Sequence, residues 1–141
     1  MFNLLGRVPR ERFYIACSGG IDSMVLVDFL LKFPVNKFSL LYMNHGTVHG
    51  QEAELFVREF ADKHSLELIV GNITRDCAKK ESPEEFWRNE RYKFFDSIDG
   101  TILTAHHLND AVETWIFSSL RGQSKLIPYK RNNCIRPFLT V

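Results

Sequence analysis

The stretch "RFYIACSGGIDSMVLVDFLLKF", residues 12–33, passes from β-forming residues through two glycines into an apolar helical pattern. Residues 12–17 read as a short buried strand. Residues 22–33 carry apolar side chains on nearly all sides, which predicts a well-covered helix that Pro34 ends. Between them, Ser18-Gly19-Gly20-Ile21-Asp22-Ser23 must turn the chain sharply, and Gly19 and Gly20 can adopt backbone conformations closed to other residues. Such a turn points bare N–H groups at one spot, and the helix starting near Asp22 adds its positive end. With the hydroxyls of Ser18 and Ser23, this predicts an anion site of phosphate size. The pattern is neither G-x-S-x-G, nor G-x-x-x-x-G-K-[ST], nor G-x-G-x-x-G.

Outward from this turn, β-like and helical patterns alternate. Strands are predicted over residues 37–44, 66–73 and 101–107. A helix over 50–64 has Leu55, Phe56 and Phe60 at helical spacing and acids in its first turn. The helix of 82–98 opens with a capping box, in which Ser82 caps, Pro83 takes the first position and Glu85 reaches back. The helix of 109–122 is capped by Asn109 and closed by Gly122, and Asn132-Asn133 suit a hairpin turn. Strand–helix alternation predicts an α/β fold: a parallel sheet sandwiched by helices, with right-handed crossovers, in a single domain over 1–141. Ligands of such sheets sit beyond the carboxyl ends of the strands. "SGGIDS", "NHG" (44–46) and "HHLNDAVET" (106–114) all fall there.

Three sets of side chains invite chemistry. Asp22 would repel bound phosphates unless a cation such as Mg²⁺ lay between, although an aspartate can simply cap a helix. Asp110 and Glu113 share a helix face behind His107, either as an acidic pocket for a cation or as charges that suit the helix N-terminus. Arg88 and Arg91 share another face, either as phosphate stabilisers or, since Glu84 precedes Arg88 by one turn, in a surface ion pair. Tyr92 reads as packing, His106 as packing or as support for His107, and His49 and His64 as bystanders.

The 141 residues, 45% hydrophobic with a formal charge of +1, are those of a globular domain. Segment 121–141 holds Arg121, Lys125, Lys130, Arg131 and Arg136 and no acid, which suits either a solvated end or a polyanionic partner. Cys17, Cys77 and Cys134 form no C-x-x-C pair, so neither a zinc site nor a dithiol is predicted. The N-terminus "MFNLLGRVPRER" lacks the apolar run and cleavage site of a signal peptide, and no segment reaches the ~20 apolar residues of a membrane span. A soluble cytoplasmic protein is expected.

S-G-G-x-D-S resembles the PP-loop of the N-type ATP pyrophosphatases. Within that superfamily the chain is most similar to the catalytic N-terminal domain of the tRNA(Ile)-lysidine synthetases. The similarity rests further on "NHG", on "WRNERY" (87–92) against A-R-x-x-R-Y, on "AHHLNDAVET" (105–114) against A-H-H-x-x-D-x-x-E-T, and on "RG" at Arg121 with "RPFL" at Arg136. It runs from about Arg12 to Leu139. The sequence departs from the pattern at Asn109, where the family has an acid, and at "QSKLIPYK", where a glycine-rich run is usual.

The resemblance implies a Rossmann-like adenine nucleotide alpha hydrolase fold. It implies ATP held by Ser18, Gly19, Gly20, Ile21, Asp22 and Ser23, with adenosine near Asn44 and His45, and Mg²⁺ on Asp22. It assigns catalysis to Asp22, Arg88, Arg91, His107, Asp110 and Glu113. The reaction implied is adenylation of an anticodon cytidine in tRNA, release of pyrophosphate, and displacement of AMP by L-lysine. The basic segment would meet the tRNA, and a partner chain or homo-oligomer would be compatible with this reading. The alternatives are a tRNA-thiolation enzyme, which the missing C-x-x-C disfavours, and a non-catalytic nucleotide binder, which the intact Asp22, Arg88, Asp110 and Glu113 disfavour.

Overall fold

The computed structural model describes residues 6–33, 37–73, 76–77, 79–122 and 124–139, without the Leu108 side chain. Pro34 and the first five residues lie outside that set. The elements are β1 (Phe13–Ala16), α1 (Ile21–Leu31), β2 (Phe38–Asn44), α2 (Val48–Lys63), β3 (Leu68–Asn72), α3 (Pro83–Asp96), β4 (Ile102–Leu103), α4 (Leu108–Leu120), β5 (Lys130–Arg131) and β6 (Cys134–Ile135). Among the described residues they form one sheet of order β3-β2-β1-β4-β6-β5. All neighbours pair in parallel except β5 with β6. The sheet is therefore mostly parallel rather than wholly so. The exception is the hairpin through Asn132 (φ 52°) and Asn133, which lays β6 beside β4. The Asn133 amide anchors this turn by donating to the carbonyls of Phe95 (2.9 Å) and Ile98 (3.1 Å).

The order reverses at β1, which lies between β2 and β4. A crevice opens there, between the loops that leave β1 and β4. Beneath it, Phe13, Ile15, Leu26, Val27, Leu40, Val57 and Leu103 are fully buried. Their burial is the main force that fixes the loops above.

Several local expectations change in three dimensions. Helix α1 buries Ser23, Leu26, Val27 and Leu30, with Met24, Phe29 and Leu31 partly buried against the core, while Ile21 is 82% exposed. Composition made it look covered all round, but its helical period selects one face. Helix α2 starts earlier than predicted, because the Thr47 hydroxyl accepts from the Gly50 amide (2.9 Å). No acid then falls in its first turn. Its docking face is Gly50, Val57 and Ala61, and Leu55 and Phe56 are exposed. Strand β3 is shorter than the run 66–73, and β4 pairs over two residues only, with the Thr104 amide still donating to the Ile135 carbonyl (2.9 Å) and residues 105–107 continuing beyond it. Ser82 caps α3 as expected, accepting from the Glu85 amide (3.2 Å). The cap of α4 is His107 rather than Asn109: the Asp110 carboxylate accepts from the His107 amide (2.9 Å), closing the first turn one residue upstream. None of residues 109–120 is fully buried. Among the described residues no helix is long and apolar enough to cross a membrane.

Candidate functional site

The β1–α1 loop is built from its own serines. Buried Ser23 Oγ accepts from the Ser18 amide (3.1 Å) and donates to the Gly20 carbonyl (3.1 Å). Ser18 Oγ lies 3.2 Å from Ser23 Oγ and accepts from the Gly20 amide (3.2 Å). Both hydroxyls therefore shape the loop, and Ser23 spends its proton within it. Gly19 has φ 79°, and a Cβ there would meet the Ala53 methyl at 3.4 Å. What remains for an anion is the first turn of α1, whose amides at Ile21, Asp22 and Ser23 have no carbonyl within the helix to bond. Gly20 caps this helix without a side chain.

Asp22 leaves that turn with its side chain 62% exposed. Its Oδ2 lies 3.2 Å from His107 Nε2, across 85 residues of chain. The same nitrogen is 3.6 Å from Asp110 Oδ2. Thus the loops after β1 and β4 meet through Asp22, His107 and Asp110. A neutral imidazole donates one Nε2–H to either carboxylate, and a cation near both would relieve their repulsion. Among the described residues no group of three or more His, Cys, Asp or Glu is arranged to hold a metal ion unaided. An exposed carboxylate beside bare amides instead fits a cation shared with phosphate oxygens.

The two carboxylates of this triad line a cavity of about 380 Å³ whose wall includes Ser18, Asp22, Ser23, His45, Arg91 and Asp110. Gly19, Gly20, Ile21, Asn44, Arg88, His107 and Glu113 do not line it, although His107 reaches it through its contacts with Asp22 and Asp110. The Asn44 side chain is engaged in its own turn, accepting from the Gly46 amide (2.7 Å) and donating to Glu54 (3.1 Å). Glu113 is exposed one turn beyond Asp110. The cavity also takes in Tyr42, whose hydroxyl donates to the Gly50 carbonyl (2.6 Å), and His49, read from sequence as a bystander. His64 does stay apart, its ring 4.4 Å from Phe60.

On the far side Arg91 and Tyr92 line the cavity, and further arginines gather around Tyr92. Tyr92 is the hub of this cluster rather than plain packing. The Arg131 guanidinium sits 3.9 Å above the Tyr92 ring, with Arg91 at 5.7 Å and Arg88 at 5.9 Å. Arg136, only 4% exposed, donates from Nη2 to the Tyr92 hydroxyl (3.0 Å) and from Nη1 to the Pro128 carbonyl (2.5 Å). Its Nε is buried with no partner among the described residues. Burial, with Arg88 and Arg136 nearby, lowers the Arg91 pKa. Burial, then Arg136 and Arg91, pushes His106 down to about 4, so it is neutral and pairs with Thr104 Oγ1 (2.9 Å). Two of the basic residues of 121–141, Arg131 and Arg136, therefore turn inward. Sequence reasoning left both out of the site. The "RPFL" match was the only signal for Arg136, and none marked Arg131.

On the other side, His45 Nδ1 is buried without a partner among the described residues. Burial, and secondarily Arg91, lowers its pKa. Cys17 and Cys134 are buried, each with its thiol pushed up by burial, and they lie in separate clusters of the core. That arrangement offers no thiol pair.

The PP-loop domain family matches residues 1–141. Among curated proteins, the chain is 34% identical to a tRNA(Ile)-lysidine synthase of Persephonella marina, over 93% of this chain and 32% of that protein. It is 30% identical to one of Streptococcus equi subsp. equi (90% and 33%) and 28% identical to one of Lactiplantibacillus plantarum (94% and 33%). The chain spans about a third of the length of the curated relatives it matches.

Proposed function

The chain belongs to the PP-loop domain family, and on that footing we propose that it carries the ATP-dependent chemistry of a tRNA-modifying carbon–nitrogen ligase. The reaction is adenylation of an anticodon cytidine with release of pyrophosphate, followed by joining of lysine and release of AMP. Relatives named tRNA(Ile)-lysidine synthase support the acceptor. The single observation that carries the chemistry is the meeting of His107 with Asp22 and Asp110, the two carboxylates in the cavity wall, at 3.2 and 3.6 Å.

In the first step the acceptor's carbonyl oxygen bonds to the α-phosphorus of ATP. The bond from that phosphorus to the bridging β-oxygen breaks, and its electron pair leaves with pyrophosphate. The first-turn amides of α1 and the positive helix end receive the departing charge. Asp22 is the residue that would hold Mg²⁺ together with phosphate oxygens, and that ion, when bound, neutralises charge on the pyrophosphate. Arg91, in the cavity wall, faces the charge that builds on the α-phosphate, and Arg88 adds to the field from outside. The adenosine sits toward His45 and Tyr42. In the second step a lysine amine attacks the activated carbon, the carbon–oxygen bond breaks, and AMP leaves. Asp110 and Glu113 attract the ammonium, and His107 stands in place to take the proton that the amine sheds.

The test is pyrophosphate release and ATP–pyrophosphate exchange with tRNA and lysine omitted in turn, followed by mass analysis of the tRNA nucleosides. The expected outcome is a cytidine heavier by one lysine minus water, only with all three substrates. A gain of sulfur instead, or no turnover of ATP under any combination, overturns the reading.

A further inference from the structure

Helix α3 faces the core through Phe86, Glu90 and Phe95. Trp87 lies off that face and is 39% exposed. Its ring centroid is 5.2 Å from that of His45, tilted by 43°. His45 lines the cavity, so Trp87 adjoins the cavity through that ring without lining it. Exposing so large an apolar ring has a cost that core packing does not require here. Its surroundings are suited to a polyanion: Arg91 lies one helical turn on, in the cavity wall. The imidazole behind it has a lowered pKa, so it backs the indole as a neutral ring. Trp87 also occupies the alanine position of the A-R-x-x-R-Y pattern, where a small side chain would leave this spot bare.

An exposed aromatic face beside guanidinium groups is the arrangement by which proteins hold unstacked bases of single-stranded RNA. We propose that Trp87 is a stacking face for a nucleobase of the acceptor RNA, with His45 bracing the ring. The inference rests on the RNA-acceptor reading above. It adds the place where an acceptor base is received.

The chain has two tryptophans, so Trp115→Phe, on the exposed side of α4, leaves Trp87 as the sole indole emitter. This protein is titrated with an anticodon stem-loop RNA and, separately, with ATP. Saturable quenching by the RNA and none by ATP alone is the expected result. In parallel, labelled-RNA anisotropy should show about tenfold weaker binding for Trp87→Ala, equivalent to ~1.4 kcal/mol, with most of the affinity restored in Trp87→Phe. Circular dichroism checks that both variants fold. Quenching by ATP alone overturns the proposal by assigning the ring to adenine. RNA that binds without quenching, and equally to Trp87→Ala, overturns it while leaving the acceptor reading intact. RNA that does not bind the unsubstituted protein removes both.

Discussion

Asp22 concentrates the residue-scale argument, because it is exposed, sits in the first turn of α1 and reaches His107. Asp22→Asn keeps the shape and removes the charge. We expect pyrophosphate release to fall at least about 100-fold, while stability changes by less than about 0.5 kcal/mol, as for exposed sites. Steady-state turnover and a thermal melt check both halves, and undiminished turnover would end the role given to this carboxylate. His106 predicts a pH effect. Its folded pKa of about 4 lies below its usual value, so the unfolded chain binds the extra proton first. Its contribution is therefore whole above about pH 6.5 and is lost as pH falls toward 4. His45, also lowered, acts with the same sign. Denaturant midpoints across this window should fall with acidification, and less steeply in His106→Asn. Equal slopes would show that His106 is not the group responsible.

Elements were legible where a local signal was strong. Ser82-Pro83 announced α3, and the Asn132-Asn133 turn announced the hairpin. Boundaries were lost where competing caps lay close together: Thr47 starts α2 ahead of the residues read as its first turn, and Asp110 moves the cap of α4 to His107. Which face docks also escaped sequence, since Leu55 and Phe56 fit a helical stripe as well as Val57 and Ala61. One close approach between elements is directly testable. A Cβ on Gly71 of β3 would lie 2.7 Å from the Phe94 ring of α3. Gly71→Ala should cost about 1–3 kcal/mol through overpacking, and adding Phe94→Leu should recover part of it. A double-mutant cycle by chemical denaturation measures this coupling, and strict additivity would refute the contact.

At the scale of the whole molecule, α3 and the C-terminal segment are joined by Tyr92 and Arg136, 44 residues apart. Tyr92→Phe removes the hydroxyl that receives Arg136 Nη2. A buried guanidinium whose Nε already lacks a partner among the described residues then loses another. The expected cost is about 1–3 kcal/mol, with a further drop in pyrophosphate release as Arg91 and Arg131 shift around the ring. A variant as stable and active as the parent would mean that Tyr92 only packs. The basic segment read as a solvated or partner-facing end thus divides, with Arg121, Lys125 and Lys130 exposed and Arg131 and Arg136 turned inward.

The order of strands and helices, the glycine turn after β1 and the crevice-facing loops followed from sequence alone. They depend on side-chain periodicity, glycine's backbone freedom and capping groups, all of which act within a few residues. Only tertiary structure decided that the serines of the turn bond to each other, that His107 meets Asp22, and that four arginines gather on Tyr92. Those contacts depend on how the sheet order brings distant loops together. Burial of the common core sets that order, and no local pattern encodes it.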